Sequence, residues 1–104
     1  MSIVTEVVTM KLMQDIKQED FVHIVDNLEK EYHSKQPGFL DTELFYDERN
    51  DQWVMVQHWE TEEQMKSASQ KIFKDSTAEA FVKSLDPRNV KMIIGDQIKC
   101  WRLD

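Results

Sequence analysis

The chain of 104 residues holds one cysteine, two glycines and two prolines, no long apolar run, and fewer bases than acids. Each scarcity excludes something. A lone cysteine, Cys100, forms no internal disulfide, and the start "MSIVTEVVTM" has neither the basic flank nor the long apolar stretch of a signal peptide, so a cytoplasmic protein is expected. No stretch approaches the roughly 18 apolar residues that a membrane span requires. With only Gly38 and Gly95 there is no glycine-rich phosphate loop. Thirteen lysines and arginines against twenty acidic residues give a net charge of -7, which argues against nucleic acid or an anionic membrane as partner. The three histidines, His23, His33 and His58, are 10 and 25 residues apart and match no compact metal motif, and the acidic runs "QEDF", "DERN" and "ETEEQ" lack the alternating ligands of a calcium loop. No metal is expected.

What is present is a change of period along the chain. Ile3 to Leu12 reads as a strand, one parity holding Val4, Val8, Met10 and Leu12. Phe21, Ile24, Val25, Leu28 and Tyr32 then recur at helical spacing, and the helix ends near "SKQPGF", where Pro37 lacks a donor and Gly38 tolerates unusual backbone angles. "FLDTELFY" (39–46) and "QWVMVQHW" (52–59) read as a hairpin across "DERND". Thr61 and Gln64 have the spacing of a capping box, with Met65, Ala68 and Ile72 following at helical spacing. A second start at Ser76, with Glu79 three residues on, predicts a helix broken near "KDS" and ended by "DPRN". Residues 90–101 read as a fourth strand, with Gly95 as a bulge or bend.

The order β-α-β-β-α-β predicts one α+β domain over residues 1–104, a ferredoxin-like fold of four antiparallel strands with two helices on one face. In such a domain the second sheet face should be polar. Here the second and third strands keep large apolar residues on both parities, among them Phe39, Leu40, Leu44, Phe45, Trp53 and Trp59, so a homodimer packed sheet against sheet is expected.

With this order, "QPGF" before the second strand and "HWETEEQM" closing the third, the chain resembles the antibiotic biosynthesis monooxygenase-like family of the dimeric α/β-barrel superfamily. The resemblance implies a dimeric barrel made of two sheets, with pockets between sheet and helices. Relatives of this kind oxygenate polycyclic phenols or quinols without metal or flavin, degrade haem, or have no demonstrated activity, and the resemblance implies one of these three for this chain. The expected function is cofactor-independent monooxygenation of an aromatic phenol or quinol-like molecule with O2; the alternative is a non-catalytic dimer that binds a small apolar ligand. Haem degraders of this kind use a histidine on the second helix and an asparagine on the first strand, and this chain has neither in residues 61–85 or 3–12.

For oxygenation without a cofactor the substrate must lose a proton inside a dry pocket. His23, Gln57 and Trp59 are the candidate catalytic residues, and Tyr32, Met55 and Trp59 the candidate substrate-binding ones. The resemblance places Trp59 at a pocket-bordering tryptophan; its other role is core packing. Gln57 shares strand parity with Trp59 and Met55, whereas His58 points the opposite way. Tyr32 also belongs to the helix stripe. His33 reads as a surface residue at the helix end. The methionines read as core filling and Cys100 as an ordinary strand residue.

Overall fold

The β-branched run at the start of the chain forms the central strand of the sheet. In the computed structural model, which describes residues 2–102, β1 spans Val4–Met10 and pairs antiparallel with β3 on one side and β4 on the other. The strands are β2 (Phe39–Asp47), β3 (Gln52–Trp59) and β4 (Lys91–Asp96), in the order β2-β3-β1-β4 with antiparallel neighbours. This is the ferredoxin-like order expected from the sequence.

The helices cover one sheet face because their apolar stripes require it. α1 (Gln18–Glu31) buries Phe21, Val25 and Leu28, and places Glu19 and Asp20 in its first turn, where the helix dipole favours negative charge. A short 3₁₀ turn, His33–Lys35, follows it. α2 (Glu62–Lys71) starts where expected: Thr61 Oγ1 accepts from the Gln64 amide at 3.1 Å. The Gln64 side chain does not return a bond to the cap amide; its Oε1 accepts from the Thr61 hydroxyl at 3.1 Å. The break near "KDS" is two 3₁₀ turns, Ile72–Lys74 and Ser76–Ala78, before α3 (Glu79–Ser84). The expected cap at Ser76 is not used: Asp75 caps the Ser76–Ala78 turn, accepting from the Thr77 amide at 2.9 Å, and α3 follows Ala78 without a side-chain cap.

Two expectations about strand irregularity need correction. Gly95 is no bulge: it pairs in register with Thr5, β4 ends at Asp96, and residues 98–102 are not strand. The register shift lies in β2, where Phe39 pairs with Trp59 and Asp41 with His58. Leu40 is the extra residue, and the shift turns Phe39 to the helix side, where its ring meets Trp59 edge to face at 5.3 Å.

The main core cluster combines Met10, Trp53 and Met55 from the sheet with Phe21, Val25, Leu28, Tyr32, Ala78 and Phe81 from the helical layer. A second cluster holds Val4, Trp59, Met65 and Ala68, with Phe39 against it. Of the residues that suggested two apolar sheet faces, Phe39, Leu44, Trp53 and Trp59 belong to these clusters, while Leu40 and Phe45 are exposed. On β4, Ile93 adds to the outer face, 67% exposed opposite Val7. Among the described residues no helix is long and apolar enough to cross a membrane.

Candidate functional site

A cavity of about 140 Å³ lies between the sheet and the α2–α3 layer. Its sheet wall carries Glu6 and Val8 of β1 and Met55, Gln57 and Trp59 of β3. Strand parity explains this company: Gln57 and Trp59 sit opposite Glu6 and Val4, so all these side chains emerge on the helix side. The helical wall includes Ser69, Ile72, Phe81 and Leu85, and Met92 of β4 borders one side.

The polar groups gather at one end. The Trp59 indole N–H donates to Glu6 Oε1 at 3.1 Å, and Glu6 is only 3% exposed. Burial pushes the Glu6 carboxyl above the ordinary carboxylate range; the Trp59 N–H, the His33 side chain and the Ser69 hydroxyl each offset part of that rise. Beside it, the Gln57 amide nitrogen donates to Thr42 Oγ1 at 2.9 Å and lies 3.2 and 3.4 Å from the two ring nitrogens of His33. His33 Nδ1 is hydrogen-bonded to Glu29 Oε2 one helical turn earlier. The contacts of His33 are consistent with Nδ1–H donating to Glu29 and Nε2 accepting the second amide hydrogen of Gln57, while the other Glu29 oxygen, Oε1, is buried without a partner among the described residues. The His33 ring also stacks on Phe39 at 5.4 Å and meets Trp59 edge-on at 6.1 Å. Aromatic rings thus frame the polar end.

The candidate residues separate clearly. Gln57, Trp59 and Met55 line the cavity. Trp59 also fills the second core cluster, so its two roles coincide. Tyr32 lies in the main core and not on the cavity wall: its hydroxyl donates to the Ala68 carbonyl at 2.5 Å, and burial together with the charge of Asp75 raises its pKa. His23 is exposed on α1 and does not line the cavity, because the helix turns the position before Ile24 toward solvent. His58 faces the other side of the sheet, its Nδ1 2.6 Å from Asp41 Oδ1.

Two ionisable wall residues, Glu6 and His33, were not among the candidates. His33 is 4% exposed, not a surface residue, because the turn after α1 tightens to 3₁₀ and swings its ring under Phe39. Glu6 had a signal that went unused: it shares strand parity with Val4, Val8 and Met10, and a carboxylate on an otherwise apolar parity is a buried charge. Among the described residues no group of three His, Cys, Asp or Glu side chains is placed to hold a metal ion.

A ferredoxin-like sheet with a mostly apolar cavity under its helices defines the class of protein. Residues 3–85 match the family model described as antibiotic biosynthesis monooxygenase, and the chain belongs to that family. No curated protein sequence matches it significantly. Among solved structures it is similar to a variant of SnoaB, a cofactor-independent oxygenase from Streptomyces nogalater, at 14% identity and a TM-score of 0.74, covering 96% of this chain and 97% of that one. A candidate antibiotic biosynthesis monooxygenase from Bordetella bronchiseptica is similar at 15% identity and a TM-score of 0.75, covering 95% and 100%. A conserved protein from Methanosarcina mazei is similar at 16% identity and a TM-score of 0.67, covering 91% and 92%. At these identities the likeness is one of fold.

Proposed function

We propose that the protein is a homodimeric, cofactor-independent monooxygenase of a small phenol or quinol-like aromatic molecule. The observation that carries this reading is the polar end of the cavity, where Glu6, His33, Gln57 and Trp59 stand together in an otherwise apolar chamber. A phenol whose ring lies along Met55 and Trp59 turns its hydroxyl to this end. The hydroxyl donates to Glu6, which takes up its proton, while Gln57 and Trp59, whose N–H groups are engaged by Thr42, His33 and Glu6, hold the polar wall in place. The electron-rich ring then bonds to O2 at the carbon para to its oxygen. Cleavage of the O–O bond leaves one oxygen as a new carbonyl and the other in water, so the phenol supplies all four electrons and becomes a quinone. Exclusion of water protects the carbanion-like intermediate.

The dimer reading is supported by the exposed apolar side chains of the outer sheet face, Leu40, Phe45 and Ile93, which a second sheet would cover. The family's cofactor-independent oxygenases support the same reading by analogy of fold.

Oxygen uptake with a panel of naphthols and anthrols, corrected for autoxidation, tests the activity. Saturable uptake that falls at least tenfold in Gln57→Leu, with the mass of the assembly unchanged, is the expected result. Ligand binding with no uptake above the control would replace the enzyme by a carrier of apolar molecules.

A further inference from the structure

We infer that Glu6 selects the ligand: the cavity takes an uncharged aromatic molecule that donates a hydroxyl to this carboxylate, and it turns away aromatic molecules that carry a carboxylate of their own. The inference rests on the reading of the cavity as a site for a small aromatic molecule.

Glu6 lies in the middle strand, with Gln57 and Ile94 as its cross-strand neighbours and Val4 and Val8 on either side of it on the same face. A carboxylate buried this deeply is normally neutralised by a cation. Among the described residues no lysine or arginine forms an ion pair with it; the described ion pairs lie elsewhere, on the helix surfaces, at Asp86–Arg88, between His33 and Glu29, and between His58 and Asp41. Trp59 supplies one hydrogen bond, to Oε1, and the Ser69 hydroxyl and the His33 ring also act on the carboxyl. An ionised carboxylate accepts about four hydrogen bonds. The remaining capacity belongs to a group on the cavity wall, and a ligand that enters is the source of a further donor.

The rest of the cavity defines the rest of the ligand. Val8, Met55, Phe81, Leu85 and Met92 offer hydrocarbon, sulfur and ring surface and no donor or acceptor side chain. A molecule with a hydroxyl at one end and a fused hydrocarbon body at the other matches both ends. A hydrocarbon without the hydroxyl displaces water from the carboxylate and returns nothing. A ligand carboxylate sets two like charges side by side in a medium of low dielectric, and one of them must take up a proton.

The test is anaerobic calorimetric titration of the full-length protein with 1-naphthol, naphthalene and 1-naphthoate, at a pH where the naphthol is uncharged and both the naphthoate and Glu6 are ionised, the latter fixed by the pH dependence of the wild type against Glu6→Gln. The expected order is naphthol tightest, naphthalene about tenfold weaker, and naphthoate at least about tenfold weaker than naphthol. In Glu6→Gln the preference for naphthol over naphthoate should shrink severalfold, because an amide can donate to a carboxylate. Naphthoate binding as tightly as naphthol to the wild type overturns the proposal, and so does an unchanged preference in a folded Glu6→Gln protein. If circular dichroism shows that this variant has lost its fold, the wild-type order alone decides. The expected order without oxygen uptake would sink the monooxygenase reading and leave this one standing. Uptake combined with indiscriminate binding would do the reverse, and no binding of any of the three would end both.

Discussion

The indole N–H of Trp59 meets the carboxylate of Glu6 at 3.1 Å, joining β3 to β1 across 53 residues of chain. Trp59 is 1% exposed and packs with Val4, Met65 and Ala68, so one side chain both anchors the smaller core cluster and supplies a donor to the acidic group at the cavity. A hydrogen bond to a charged group contributes about 1.5–3 kcal/mol, and removing the donor leaves the acceptor unsatisfied. Trp59→Phe keeps an aromatic ring but no donor. It should lower the unfolding free energy by at least about 1.5 kcal/mol, as read from urea denaturation; a loss under about 0.5 kcal/mol would show that the carboxylate does not depend on the indole.

The raised pKa of Glu6 predicts a pH dependence with a definite sign. A folded state that holds the proton more tightly than the unfolded chain gains stability that is complete below the ordinary carboxylate pKa and is lost as pH rises through the folded value. Glu6→Gln stays neutral throughout. Its stability relative to wild type should therefore increase as pH rises from the ordinary carboxylate range, measured by thermal or urea unfolding of both proteins across a pH series. A difference that stays flat with pH would mean that the carboxylate titrates normally.

Gly38 joins the turn after α1 to β2 at φ 81°, and a Cβ there would stand 1.9 Å from Gln64 Oε1. Gly38→Ala should therefore cost more than the roughly 1 kcal/mol of left-handed backbone strain, because it also pushes the Gln64 side chain off the α2 cap. Gln64→Ala removes the contacts with Oε1 and Cδ and leaves the one with its Cβ, at 3.0 Å, and the strain. In a double-mutant cycle followed by chemical denaturation, the second substitution should recover part of the loss; strictly additive effects would place the whole cost in the backbone.

Phe45 and Ile93, 45% and 67% exposed on the outer sheet face, test the proposed dimer directly. Ile93→Asp or Phe45→Asp places a charge where a second sheet would cover it. Sedimentation equilibrium should show the wild type as a dimer and each variant shifted toward monomer, with the helix content of the monomer retained. A wild type that sediments as a monomer at all concentrations would remove the dimer from the proposal.

The sequence disclosed more of the fold than of the site, and particular residues show why. Strand and helix periods are written in short-range spacing, so Phe21, Val25 and Leu28 announced their helix and Thr61 its start. The site depends on offsets of a single residue that periodicity does not record. Leu40 adds one residue to β2 and thereby brings Phe39 round to His33 and Trp59. One tightened turn after α1 carries His33 inward, while His23, on α1 itself, stays in solvent. Gln57, Trp59 and Met55 were legible because β3 is regular, and parity alone put them on one face. Tyr32 misled for the opposite reason: its position on the stripe was right, but its hydroxyl is engaged by the Ala68 carbonyl, a contact 36 residues away that no local pattern encodes.

The segment between α2 and α3 has a kinetic consequence. Ile72 and Phe73 belong both to the cavity wall and to a 3₁₀ turn, and a second such turn follows at Ser76–Ala78. Short turns of this kind hold fewer and poorer hydrogen bonds than continuous helix, so the least costly way to breach the wall is local fraying there rather than movement of the sheet. Amide hydrogen exchange at residues 72–78 should therefore be faster than in α1, and should slow when the proposed ligand is bound.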